Sequence, residues 1–239
     1  QVAAEASRAH LAALALSGRT GRWLRPSNTL DATLRLLISA PRVALRRLDL
    51  GWSSAMTAES LLALLQRHGR EDEPLITLRL DGCQWLDRCH DGLRACAPWL
   101  QELSIVACEG LDAAGVAALC QACTRLTSLD LCRVLLTRHA LDALLGDGLG
   151  ERLTTLGLSG HTQLPSQSFA HVLASCPRLT DFDFSFSLLN DSAFEDALPS
   201  RVWAAARMHD CSGLGDEGVR RLCLAGGGTL HTLRLGGAF

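Results

Sequence analysis

Four residues within one short span, Cys83, Cys89, His90 and Cys96, are of the types that zinc prefers as ligands. Cys120 and Cys123 add a Cys-x-x-Cys spacing further on. The setting of these residues argues for a different use. Cys83 falls at an inward position of a repeat described below, Cys96 at the end of a helix, and Cys120 with Cys123 on one apolar helical stripe. Their thiols then serve a core and need not converge, so no metal site is expected. His209, Asp210 and Cys211 carry the residue types of nucleophilic catalysis, but they are consecutive. On a strand they alternate in direction and send Cys211 inward, so no triad forms. Glycines cluster at Gly226, Gly227 and Gly228 and at Gly146, Gly148 and Gly150. Neither run ends in the Lys-Ser/Thr of a phosphate loop, and both read as turns. The sequence therefore predicts no catalytic residue, no cofactor and no enzyme.

The elements that carry these residues follow one template: Leu-x-x-Leu-x-Leu, then x-x-Cys or a small residue, then a helical stretch. Leu45, Leu48 and Leu50 open one copy; Leu75, Leu78, Leu80 and Cys83 the next; Leu100, Leu103, Ile105 and Cys108 a third. Leu126, Leu129 and Leu131, then Leu153, Leu156 and Leu158, continue it. Leu179, Phe182 and Phe184 follow, then a degenerate copy with Trp203, Ala206, Met208 and Cys211, and finally Leu230, Leu233 and Leu235. Successive starts lie 24 to 30 residues apart, close to the roughly 20–29 of leucine-rich repeats. A weaker earlier copy begins at Leu11, Leu14 and Leu16.

Within a copy the Leu-x-Leu alternation has the period of a strand. Val116, Leu119, Cys120 and Cys123 show the spacing of one helix face. Thr57, Asp112, Ser166 and Asp191 are polar residues suited to helix starts, and Pro98 and Pro177 mark ends. One strand–helix unit cannot bury both its Leu row and its helix face, so the copies must stack on a shared core. The expected fold is α/β: a leucine-rich-repeat solenoid, or horseshoe, of about eight to nine repeats. Parallel strands line its concave face and helices its convex face. Residues 1–44 are expected to form an irregular or degenerate N-terminal repeat or cap, with a helix over 3–9. Residues 45–239 form the repeat domain, whose C-terminal end reads as uncapped and leaves Leu233 and Leu235 under-covered.

Composition narrows the function classes. The net charge is −2, from 23 basic and 25 acidic residues, so no overall field draws the chain to DNA, RNA or an anionic bilayer. No apolar run is long enough to span a membrane. All 23 basic residues are Arg; a GC-rich genome and selection against ubiquitin acceptor sites both account for that. The ten cysteines read as reduced core residues and point to an intracellular setting.

The later part of several copies reads Cys-x-x-Leu-x-x-x-Gly-Val, followed by Cys and often Pro before the next Leu. Cys108, Leu111, Gly115, Val116 and Cys123 show it, as do Cys211, Leu214, Gly218 and Val219, while Cys176-Pro177-Arg178-Leu179 shows the close. Over residues 45–239 the chain resembles the cysteine-containing subfamily of leucine-rich repeats, known from F-box/leucine-rich-repeat proteins. In that family the repeats capture substrates of an SCF-type ubiquitin ligase and a separate F-box docks the ligase core. Residues 1–44, with Trp23, Leu24, Arg25 and Pro26, do not read as a three-helix F-box.

A repeat of this kind binds through residues between its strand leucines, which face out from the concave side. Arg47, Asp49 and Trp52 come first, with Arg79 and Asp81 in the next copy. Asp130 and Arg133 follow, then Asp183 and Phe186, then Arg207, His209 and Asp210, and last Arg234. Mixed charge with exposed aromatics suits a protein surface. The sequence thus predicts a noncatalytic protein–protein interaction module or scaffold, such as a resident subunit of a large complex. The alternative is a substrate-recognition subunit of a ubiquitin ligase. Protein partners are expected, with no small-molecule substrate, no membrane insertion and no directly bound nucleic acid.

Overall fold

Three-residue strands form wherever the Leu-x-Leu alternation occurs, because a single inward side chain flanked by two outward ones is all that each repeat must present. A computed structural model describes residues 13–15, 45–52, 57–68, 74–83, 86–146, 148–195 and 201–237. The chain divides into two compact units, residues 1–111 with 118–125 and residues 112–117 with 126–239.

The first unit holds strands β1 (Ala13–Ala15), β2 (Arg47–Asp49), β3 (Thr77–Arg79) and β4 (Glu102–Ser104). They run parallel in sequence order, with Leu14, Leu48, Leu78 and Leu103 in register. The expected early copy is therefore present as a strand centred on Leu14; Leu11, Leu16 and the helix expected over 3–9 lie outside the described residues. Beyond the strands the backbone ladder continues, with Leu50 N donating to Arg79 O and Leu80 N to Ser104 O, each at 2.9 Å. Helices α1 (Ala58–His68) and α2 (His90–Cys96) pack side by side. Helix α3 (Ala113–Ala122) shares its residues between the units.

The second unit holds β5 (Ser128–Asp130), β6 (Thr155–Gly157), β7 (Asp181–Asp183), β8 (Ala205–Arg207) and β9 (Thr232–Arg234), again parallel and in sequence order. Its central row is Leu129, Leu156, Phe182, Ala206 and Leu233. The helices are α4 (Arg138–Gly146), α5 (Leu149–Arg152), α6 (Ser166–Ser175) and α7 (Asp216–Gly226). Where the pattern expects a helix after β7, the described residues hold only a 3-10 turn, Asp191–Phe194.

The leucines of the template form the core. Leu45, Leu48 and Leu50 are buried, as are Leu75, Leu78 and Leu80, and the same holds through Leu158. Each such side chain removed from water contributes about 2 kcal/mol. The degenerate copy keeps its volume by exchange. Ala206 sits in register with the bulky Phe182, and Trp203, fully buried, packs edge-on against Phe182 at 5.6 Å between ring centroids. Phe184 lies 4.8 Å from Phe182 and 5.1 Å from Phe169. The last row is less covered: Leu233 is half-buried and Leu235 exposed.

Helix starts follow expectation at two of four places. Thr57 Oγ1 accepts from Ser60 N, and Asp112 Oδ1 from Gly115 N at 2.7 Å, satisfying first-turn donors. Ser166 and Asp191 differ. Ser166 Oγ turns away from its own helix and accepts from Asn190 N in the next repeat. Asn190 caps the 3-10 turn through Ser192 N, which frees Asp191 Oδ1 to accept from Gly215 N at 2.7 Å one repeat further on. A short polar side chain at a repeat junction can serve either its own helix or the adjacent loop. Here the junction takes two of the four.

Candidate protein-binding face

In β2 to β8 the middle residue is buried, so the first and third positions must face out, and burial follows that rule with the third residue half-buried or exposed in most of these strands. In the first unit the outward residues include Arg47, Glu102, Asp49 and Arg79. Arg47 and Glu102 approach within 3.8 Å, reaching across the intervening strand β3. Both are well exposed, and such a pair adds little stability. In the second unit the third-position row reads Asp130, Gly157, Asp183, Arg207 and Arg234, each in register with the next.

The carboxylates of these rows have local duties that spacing did not reveal. Asp49 Oδ1 accepts from Gly51 N at 3.1 Å, Asp130 Oδ1 from Cys132 N at 3.1 Å and Asp183 Oδ1 from Ser185 N at 3.0 Å. Each pins the turn that leaves its own strand. Asp81 lies past its strand and binds the following repeat, accepting from Ser104 Oγ at 2.6 Å and Val106 N at 3.1 Å. These are positioned acceptors with one oxygen fixed, not freely rotating surface charges.

Trp52, Arg133, Phe186 and Asp210 lie off the strands. Each stands three residues beyond a strand end, with a left-handed backbone at φ 59°, 58°, 54° and 50° respectively. Ala107 takes the same conformation, and Gly82 and Gly160 occupy the equivalent place with φ 69° and 84°. The left-handed residues form their own ladder: Trp52 N donates to Asp81 O, Arg133 N to Ser159 O, Gly160 N to Ser185 O and Phe186 N to His209 O. A second, non-strand row of inter-repeat bonds therefore fixes the rim. On it Trp52 is 47% and Phe186 46% exposed. Sequence reasoning missed the exposed Leu135 and Leu188 of the second unit, 72% and 50% exposed. The signal was faint: Leu135 sits between the buried Val134 and Leu136 and reads as part of an apolar run.

Below the rim runs the position that the sequence assigns to Cys. Cys108 Sγ donates to Leu80 O at 3.1 Å and Cys211 Sγ to Phe184 O at 3.3 Å, so each thiol ties its turn to the carbonyl of the preceding repeat. Ser187 Oγ differs, donating within its own turn to Phe184 O at 2.6 Å, the same carbonyl that Cys211 reaches from the next repeat. His161 takes this place in its repeat; it is fully buried, and neither ring nitrogen has a hydrogen-bond partner among the described residues. Burial without compensation holds its pKa down at about 4.

The residues that zinc would use point elsewhere. Cys89 Sγ donates to Ala58 O at 3.4 Å and Cys96 Sγ to Leu93 O at 3.3 Å. Burial pushes the Cys83 and Cys96 thiols up to about 12, the neighbouring Cys108 and Cys123 respectively adding to the effect. The His90 side chain lies outside the described residues. Among those described, no three His, Cys, Asp or Glu side chains converge as a metal-binding group. Cys211 is buried as expected, with His209 half-buried and Asp210 exposed beyond the strand. No described helix is long and apolar enough to cross a membrane.

No protein-family model matches the chain, and no curated protein matches its sequence. Solved structures do match. The leucine-rich repeat-containing protein LegL7 from Legionella pneumophila superposes with a TM-score of 0.53 at 16% identity, over 94% of this chain and 82% of that one. A chain from the yeast Rad7–Elc1 complex superposes with a TM-score of 0.50 at 18% identity, over 86% of this chain. The match spans 56% of that yeast chain, so this chain corresponds to little more than half of it. Parallel strands in sequence order, buried leucine rows in register and the likeness to LegL7 converge: the chain has the leucine-rich-repeat solenoid fold.

Proposed function

We propose that the chain is a noncatalytic protein-interaction module, a scaffold or resident subunit of a multi-subunit assembly, that binds protein through its outward strand residues and the adjoining rim. The observation that carries this reading is the coexistence of turn-anchored carboxylates with exposed aromatic and arginine side chains on one side of the strands. Asp130 and Asp183 are held by their own turns, while Phe186 and Arg234 stand exposed. Preorganised charges beside aromatic anchors are what a protein interface uses. The yeast neighbour was itself solved in a complex of two proteins, Rad7 and Elc1. Replacing Arg79, Asp130, Asp183 and Arg207 together, with circular dichroism confirming the fold, should abolish partner retention in a pull-down. Undiminished retention removes the reading.

A ligase substrate receptor is the second reading, motivated by the cysteine-type repeat and by a sequence that contains Arg but no Lys. Binding of the full-length protein to a purified ligase core supports it, and no binding removes it.

A further inference from the structure

On the second unit, Asp183 and Arg207 are register partners on adjacent strands, and Arg207 in turn is the register partner of Arg234. Opposite charges placed side by side normally pair, and like charges placed so repel. Among the described residues the opposite charges do not pair. The Asp183 carboxylate is turned along its own chain to Ser185 N. Among the described residues, neither guanidinium has a carboxylate oxygen within 4.0 Å. Among the described residues the two arginines therefore have no counterion, and they stand in register at one end of a row that carries Asp183 and Asp130 toward the other. His209 flanks them, its ring lying over Gly236, where an added Cβ would stand 2.9 Å from Nδ1. The exposed Phe186 lies on the rim above the change of sign.

We propose that β5–β9 hold an extended segment of a protein partner with segregated charge, its acidic end over Arg207 and Arg234 and its basic end over Asp130 and Asp183. This rests on the protein-binding reading above and adds the partner's charge order. The dimensions agree. Strands ~4.8 Å apart place β5 and β9 ~19 Å from each other, the length of about six extended residues. The row also argues against a nucleic-acid strand, because a phosphate backbone that neutralised the arginines would next run over Asp183 and Asp130. A carboxylate-bearing segment that changes sign avoids that repulsion.

The test uses the full chain and two fluorescent peptides of identical composition, one with three Lys, one Gly and three Glu in blocks, the other with Lys and Glu alternating. Fluorescence anisotropy at low salt should show the block peptide binding at least tenfold more tightly. Both Arg207→Glu/Arg234→Glu and the milder Arg207→Gln/Arg234→Gln should erase that preference. Equal binding of the two peptides, a preference unchanged in both variants, or tighter binding of a thymidine oligonucleotide each overturns the proposal. A native partner that still binds both variants defeats the charge order alone. If the parent chain makes no protein contact on this side of the strands, the broader reading falls as well.

Discussion

The indole of Trp52 lies directly over Gly82 of the next repeat, so that a Cβ on Gly82 would stand 2.8 Å from Trp52 Cδ2. Gly82 also has φ 69°, a conformation that costs an L-residue roughly 1–2 kcal/mol. Two independent demands fall on one glycine, and they can be separated. Gly82→Ala should destabilise the protein by about 3 kcal/mol in urea denaturation, combining backbone strain with overpacking. In a Trp52→Ala background the same substitution should cost only the backbone part, about 1–2 kcal/mol. An unchanged cost would mean the ring yields freely. Gly160 repeats the arrangement beneath Arg133, where Cγ would stand 2.8 Å from an added Cβ.

Trp203 offers a contrast between core and surface aromatics. It is fully buried against Phe182 and fills space that Ala206 leaves open. Trp203→Ala should cost about 3–5 kcal/mol, whereas Phe186→Ala, at a half-exposed side chain, should change the denaturation midpoint little while weakening partner binding. Equal destabilisation by both would show that Phe186 belongs to the core.

Much of this was legible in the sequence, and the reason is mechanical. A stacked repeat makes the same burial demand every two dozen residues, so Leu48, Leu78, Leu103, Leu129 and Leu156 declare a row before any coordinate is known. Even the degenerate copy was readable, because Trp203, Ala206, Met208 and Cys211 keep the spacing. What stayed hidden depends on choices between neighbours. Ser166 and Asp191 have the chemistry of helix caps, but their acceptors serve the adjacent repeat. Trp52 and Phe186 were readable as outward, while their left-handed backbone was not, since non-glycine residues rarely take it. That Asp183 caps its own turn, and leaves Arg207 without it, is a torsional choice that a residue string does not encode.

His161 makes stability depend on pH. Its folded-state pKa is about 4 against an ordinary 6.5, so the unfolded chain takes up a proton at a pH where the folded chain does not. The sign follows: stability is greatest above pH 6.5, falls as pH drops through the window from 6.5 to 4, and levels off below it. The full difference is on the order of 3 kcal/mol. His161→Leu removes the titrating group and two unpartnered buried nitrogens, and urea titrations of this variant should show that slope flattened. A slope equal to that of the parent would place the pH dependence elsewhere.

The thiols should divide by burial. Cys83, Cys96, Cys108 and Cys176 are buried, and desolvation raises each to about 12, leaving almost no thiolate near neutral pH. Cys223 is the exposed member of the ten. Ellman's reagent at pH 8 should therefore modify one thiol quickly, with the rest reacting only on unfolding, and Cys223→Ser should remove the fast phase. Several fast thiols in the folded protein would contradict the assigned core.

A partner bound as proposed meets the strand side of the repeats rather than the helix side. A photoreactive amino acid placed at Phe186 on the rim, and separately at Gln121 on the exposed surface of α3, allows cross-linking in native extract followed by mass spectrometry. A specific protein adduct is expected from position 186 and none from position 121. An adduct confined to position 121 would contradict strand-side binding.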